Sequence, residues 1–437
     1  MPDRSRTLRL SCVLLCSLLP NLACGPHRTS SSSGSGEGSP SVAPGSAAGG
    51  AGVHFADVTA AAGISYHWEL PAKRPLTILQ SIGNGCAFLD YDNDGNLDIL
   101  LVGPKIALYR GDGKGHFQDV SHVMGLDRLT GHFLGCAIGD YDNDGYVDLY
   151  ISGYRTGLLL HNERGKEFRD VTAAAGLKLQ PWGTSCAFGD IDGDGKLDLY
   201  IANYLAFGPQ TNPQLCNAYG YQTACGPLSY KPERGALYHN LGGGRFRDVT
   251  HAWGADTVSG KALVVAFAPY RPGQTALGIA NDEEAGDLLV MQKGRLTNIG
   301  VTSGTAYSAS GKPQGGMGID WGDYNNDGQL DLTIATFDDE AKPVYRNTDG
   351  LFEDQSQALG VANATRIYVS FGIKWFDFDN DGWLDLAITS GHIADNVAVY
   401  NSAHTFRQPS LLLHNLGGTR FEEIGAQTGP DPARPLV

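Results

Sequence analysis

Five nine-residue stretches hold most of the oxygen ligands this chain could offer a cation. They begin at Asp90, Asp140, Asp190, Asp323 and Asp377, and each reads D-x-[DN]-x-D-G-x-x-D. Positions 1, 3, 5 and 9 present side-chain oxygens. In the first stretch these are Asp90, Asp92, Asp94 and Asp98, in the second Asp140, Asp142, Asp144 and Asp148, and in the third Asp190, Asp192, Asp194 and Asp198. The fourth offers Asp323, Asn325, Asp327 and Asp331, and the fifth Asp377, Asp379, Asp381 and Asp385. Ca²⁺ takes about six to eight oxygens, and a short loop supplies them by alternation. Position 6 is always Gly, which suits a sharp turn at positive φ. Position 7 is Asn96, Tyr146, Lys196, Gln329 or Trp383. Such varied side chains fit a position that lends only its backbone carbonyl. The stretches therefore predict about five Ca²⁺ sites. Mg²⁺ fits less well, because it keeps several waters and demands a near-ideal octahedron.

An EF-hand is the obvious rival. It needs an acidic residue at position 12 and flanking helices. Position 12 here is Leu101, Ile151, Ile201, Ile334 or Ile388, and flanks such as Asp198-Leu199-Tyr200-Ile201 read as strands. The plainer alternative, Asp-rich turns without metal, fits one loop better than a set of five. The formal charge of −15 follows from the same residues, since nineteen carboxylates sit in the loops. Five bound Ca²⁺ would bring it to about −5. No basic patch points to nucleic acid.

The elements that position these loops repeat with them. Four short strands make each unit; in the first they are read as 85–90, 98–102, 106–110 and 116–120, with the Asp loop joining the first two. A third-strand signature recurs as Tyr109-Arg110, His161-Asn162, His239-Asn240, Arg346-Asn347 and His414-Asn415. A fourth-strand signature starts at Phe55, Phe117, Phe168, Phe246, Phe352 and Phe421. Loop starts lie 50 residues apart at first and 54 at the end, with a gap of 133 between Asp190 and Asp323. That gap holds a further unit, whose strand pattern falls at 265–273 and 277–282 and whose metal carboxylates are gone. It also holds an insertion at about 206–233. A period near 50 with four strands per unit predicts an all-β fold, a β-propeller. The 59 Gly and 18% charged residues agree with short strands and tight turns.

The N-terminus reads as a leader. Arg4, Arg6 and Arg9 accompany an apolar run over 8–19 that is too short to span a bilayer. Leu22-Ala23-Cys24-Gly25 resembles a bacterial lipoprotein cleavage box with lipidation at Cys24, although Asn21 stands where Leu is usual. Plain secretion is the alternative. The predicted organisation is a signal peptide over 1–24, a Ser/Gly/Pro/Ala linker over 25–52, the propeller over 53–430 and a tail over 431–437. Membrane contact is expected only through the lipid anchor. Cys86, Cys136 and Cys186 share one inner-strand position and read as small buried thiols. Cys216 and Cys225, inside the insertion, are expected to form a disulfide. Trp182, Trp321, Trp375 and Trp383 are expected at blade interfaces or edges. His392 reads as a satisfied turn histidine.

These residues together resemble the FG-GAP/VCBS-repeat proteins of the cartilage acidic protein and UnbV type. The resemblance rests on Phe55-Ala56-Asp57-Val58-Thr59 with Gly63-Ile64, Cys225-Gly226-Pro227, Gly316-Met317-Gly318-Ile319-Asp320, Phe376-Asp377-Phe378-Asp379, and Gly391-His392-Ile393. It implies an integrin-α-like propeller of the seven-bladed type with calcium in the blade hairpins, the metal residues being those named above. Six repeats are recognisable. Relatives usually add another Asp-loop repeat and a small UnbV domain, so the resemblance implies a truncated chain with an incomplete ring; a closed six-bladed ring is the alternative. The function implied is an extracytoplasmic interaction or adhesion scaffold for a protein or glycan partner, on a bacterial cell surface as an outer-membrane lipoprotein, or secreted. No nucleophile elbow, HExxH or acid–base pair stands outside the loops, so no enzyme is expected. A propeller hydrolase or lyase, or a non-functional truncated relative, are the alternatives.

Overall fold

The computed structural model describes residues 52–429; the leader, Cys24, nearly all of the linker and the tail lie outside them. The described residues form six antiparallel sheets, each a propeller blade of four strands, to which the fourth blade adds a short fifth, Gln314–Gly315. The seven-bladed expectation is corrected to six, the alternative weighed from the repeat count. The first blade is built from Gly85–Leu89, Asp98–Val102, Ile106–Gly111 and Phe117–Asp119. The second, third, fifth and sixth follow the same plan, with inner strands His132–Gly139, Gly183–Gly189, Gly318–Gly322 and Ser370–Phe376. The fourth is the metal-free unit. Its inner strands Ala262–Arg271 and Gln274–Glu284 are long, and a two-residue turn replaces the Asp loop.

Alternation along the strands explains the packing. Each blade has an apolar residue set on both faces, so neither face can be left in water. Five apolar clusters result, each shared by two successive blades. Leu100 and Leu108 of the first blade, for example, share a cluster with Leu149 and Leu160 of the second. Every inner strand lies beside the next blade's inner strand, from the first to the sixth. Trp321 and Trp375 are buried in two of these clusters, Trp182 is fully buried at the central face, and Trp383 is half-buried.

The segment 53–66 connects the row's two ends. Phe55 N–H donates to Thr428 O at 2.7 Å, and Val53 and Phe55 pack on the sixth blade. Ala62 O accepts from Phe117 N–H at 2.7 Å, and Ile64 and Tyr66 pack on the first blade. Phe55 thereby repeats an interaction found between blades. Its ring lies 6.1 Å from Phe378, as Phe168 lies 6.5 Å from Tyr91 and Phe246 lies 5.5 Å from Tyr141.

The inner-strand cysteines are not equivalent. Cys186 is buried and Cys136 half-buried, both as thiols, whereas Cys86 is disulfide-bonded, which corrects its reading as a thiol. Cys216 and Cys225 are joined to each other and close the arm of the insertion, whose short hairpin is Cys216–Ala218 and Tyr221–Thr223.

Candidate metal centres

Each Asp loop is a hairpin turn between a blade's first and second strands, and its backbone is fixed before any cation is considered. The first Asp accepts from the N–H groups of positions 5 and 6. Asp90 takes Asp94 N–H at 3.1 Å and Gly95 N–H at 2.9 Å, and Asp140, Asp190, Asp323 and Asp377 do the same. The position-5 carboxylate accepts from the N–H of position 7, at 2.8 Å for Asp94 and Asn96. Tyr146, Lys196, Gln329 and Trp383 repeat this bond, so their amides turn into the loop while their side chains vary. The glycines at position 6 have φ between +83° and +94°. Position 4 is also left-handed, as Asn93, Asn143, Gly193, Asn326 and Asn380. Asn and Gly are the residues that tolerate this region, a regularity present in the sequence and not used.

Position 9 has a larger role than completing a coordination shell. Asp98, Asp148, Asp198, Asp331 and Asp385 are fully buried. One oxygen of Asp98 accepts from Tyr91 N–H in its own loop at 3.0 Å, and the other from Gly111 N–H on the third strand at 2.8 Å. In the other blades the third-strand donor is the N–H of Asn162, Asn240, Asn347 or Asn415, at 2.7–2.9 Å.

Those asparagines were recorded in the sequence only as part of a signature. Each reaches into the preceding blade. Asn240 Nδ2 donates to Tyr141 O of the second-blade loop at 2.8 Å and to Leu197 O of its own loop at 3.0 Å. Asn162 bonds Tyr91 O, Asn347 bonds Tyr270 O and Asn415 bonds Tyr324 O in the same way. The Asp loops are thus also the joints between blades.

The residues present fit a cation. Position 3 supplies the decisive observation: Asp92 Oδ1, Asp142 Oδ1 and Asp379 Oδ1 are buried and have no hydrogen-bond partner. A buried carboxylate oxygen without a donor is costly, and a hard divalent cation bound by oxygens removes the cost. Ligand atoms of Asp90, Asp92 and Asp98, and of Asp140, Asp142 and Asp144, lie within 4.8 Å of one another. In the fourth loop the orphaned atoms are Asp331 Oδ2, at position 9, and Nδ2 of Asn325, whose amide must turn over to offer oxygen at position 3.

A family model described as FG-GAP-like repeat matches residues 90–151, 140–201 and 323–388. The chain carries FG-GAP-like repeats. No curated protein matches it. Among solved structures it is similar to an Agrocybe aegerita lectin described by its recognition of non-reducing terminal N-acetylglucosamine. That likeness has 15% identity and a TM-score of 0.44, covering 80% of this chain and 84% of the lectin. It is also similar to BBS1N from a complex with ARL6DN, with 9% identity and a TM-score of 0.37, covering 72% of this chain and 75% of that one.

The FG-GAP-like loops have basic neighbours that the sequence reading did not assign. Arg110 Nε lies 2.7 Å from Asp92 Oδ2, and its terminal nitrogen 2.7 Å from Asp94 Oδ2. Arg346 approaches Asp327 at 3.3 Å. In the second, third and sixth blades the same third-strand position is His161, His239 or His414, with Nδ1 3.0–3.1 Å from Asp148, Asp198 or Asp385. The recurring [His/Arg]-Asn pair was the available signal.

Burial, reinforced by neighbouring carboxylates, raises position 9. Asp98 is pushed up to about 6, Asp331 to about 7 and Asp148 to about 8, against backbone donors that pull the other way; Asp198 and Asp385 also rise. A carboxyl raised in the fold holds its proton where the unfolded chain has lost it. Its contribution is therefore present in full below the ordinary value of 3.8 and is lost as pH rises through the folded value. Metal-free protein is expected to lose stability steadily between about pH 4 and pH 8, and Ca²⁺-loaded protein is not. Urea midpoints measured across that range, in chelator and in Ca²⁺, check this; parallel profiles would contradict it.

Proposed function

We propose that the chain is a calcium-rigidified interaction scaffold of the cartilage acidic protein and UnbV type, exported from a bacterial cell and held at its surface by a lipid on Cys24, or secreted. The observation that supports this most directly is the buried, unpartnered oxygen at position 3 of three loops. It marks a set of sites that need a cation, placed at the joints between blades. Carboxylates committed to a cation and to backbone donors are not free to act as acid or base, so the reading assigns them no catalytic role. The blades instead supply a rigid frame whose loops meet a protein or glycan partner.

Isothermal titration of metal-free protein with Ca²⁺ is the test. About five sites are expected, and one fewer in Asp379→Ala. A stoichiometry unaffected by Asp379→Ala, or no heat beyond dilution, would sink the calcium assignment. Fractionation of cells expressing the full chain and a Cys24→Ala variant tests the anchor; equal release of both into the medium would count against it.

A further inference from the structure

The metal loops occupy one end of the blade hairpins. At the other end lies a cavity of about 400 Å³, within the range of small-molecule sites, about 300–1,000 Å³. Its walls come largely from segments a propeller does not need. These are the disulfide-closed insertion of the third blade, the loop 391–410 of the sixth blade and the helix Ile78–Ser81. The three are tied together. Thr223 Oγ1 donates to Asn396 Oδ1 at 2.9 Å, and Asn396 Nδ2 to Gln222 O at 2.7 Å. Leu76 N–H donates to Asp395 Oδ1 at 3.0 Å.

Inside, Asp338 of the fifth blade faces His392 and His404 of the sixth-blade loop. His404 Nδ1 lies 3.2 Å from Asp338 Oδ2. His392 is only 8% exposed, and its Nδ1 accepts Ala394 N–H at 2.9 Å. Burial holds its pKa down, at about 4, so the ring is neutral and carries its proton on Nε2. Asp338 Oδ2 lies 3.9 Å from Nε2, too far for a hydrogen bond. The described residues give Nε2–H no other partner. A side chain nine-tenths buried thus turns its N–H to the cavity beside an acceptor it does not reach. His392, read from the sequence as a satisfied turn residue, is satisfied at one nitrogen only.

We propose that the cavity binds a sugar ring, one hydroxyl of which accepts from His392 Nε2–H and donates to Asp338 Oδ2. The separation admits one oxygen at about 2.8 Å from each. A hydroxyl both donates and accepts; an ammonium only donates and would leave Nε2–H facing a cation. A phosphate or carboxylate is an anion, and would meet Asp282, Glu283, Asp338 and Asp339 with no Lys or Arg on the walls. Phe337, Phe371 and Tyr400 add flat apolar surface for a ring's C–H face. The inference rests on the scaffold reading for its purpose, but the site touches none of the calcium loops.

Saturation-transfer NMR on the full chain in Ca²⁺ tests it, with D-glucose, D-galactose, D-mannose and L-fucose at millimolar concentration and with choline and acetate as contrasts. Transfer to at least one sugar, and to neither contrast, is expected. His392→Phe and Asp338→Asn should each weaken that sugar about tenfold or more. Should Asp338→Asn fail to fold, Tyr400→Ala, on a half-buried wall residue, replaces it and should also weaken binding. An array of immobilised glycans then separates a free sugar from a glycan terminus as the source. Transfer to no sugar, preference for choline or acetate, or variants that bind as tightly as the parent protein would overturn the proposal. Sugar binding that persists while Ca²⁺ titration shows no sites would sink the calcium reading and leave this one standing.

Discussion

Chelation of Ca²⁺ is expected to lower the melting temperature by about 10 °C or more. The loops contain nineteen carboxylates, five of them fully buried at position 9 and three with an orphaned oxygen at position 3. A site held at a hundred times its Kd stabilises the fold by about 2.7 kcal/mol. Five such sites approach the whole margin of a typical domain, about 5–15 kcal/mol. The loops will not contribute equally. Arg110 and Arg346 offset charge in the first and fourth loops, Lys196 pairs with Asp194 in the third, and Arg164 lies 3.9 Å from Asp144 in the second. The loop beginning at Asp377, whose carboxylates pair with no Lys or Arg among the described residues, should therefore carry the largest share of the dependence. Scanning calorimetry with and without chelator is the measurement, and Asp142→Asn should remove part of the difference. An unchanged melting temperature would remove the structural role assigned to the cation.

Asn240→Leu is expected to destabilise the protein by about 3–5 kcal/mol, in Ca²⁺ and in chelator alike. The side chain is fully buried and its amide donates both protons, one to Tyr141 O across the blade boundary and one to Leu197 O. Its Oδ1 also accepts Gly242 N–H at 2.9 Å. Leucine leaves two carbonyls and one amide without partners, each worth about 1–3 kcal/mol less whatever compensating burial the side chain adds. The comparison of conditions separates this joint from the metal sites. Denaturant midpoints for Asn240→Leu should fall equally with and without Ca²⁺, whereas those for Asp142→Asn should fall mainly in Ca²⁺. A loss for Asn240→Leu confined to Ca²⁺ would show that the asparagine acts through the loop's metal and not as a joint.

The propeller was legible because its signal is local and repeated. A loop such as 90–98 places carboxylates at alternating positions, a Gly at the turn and strands on both sides, and all of that is contained in nine residues and their flanks. The metal-free fourth blade was legible for a related reason: losing the carboxylates left the strand pattern of Phe267 and Ile279 intact. The blade number was read less well. Phe55 carries a fourth-strand signature, and sequence spacing does not reveal that it bonds Thr428 and packs on Phe378 at the end of a row of six.

The sequence alone determined the repeat, the all-β class, the position of each Asp loop and the unit without one, because backbone turns and strand alternation depend on neighbours a few residues away. The tertiary structure decided what lies between repeats. Asn240 and Tyr141 are 99 residues apart, and nothing in either residue announces the bond between them. Asp338, His392 and His404 come together only because two blades are adjacent and one of them carries a long loop. Ring packing sets such distances through the apolar clusters shared by whole blades. A carboxylate's service to a cation can therefore be read locally, and a histidine's unpaired proton only in the folded chain.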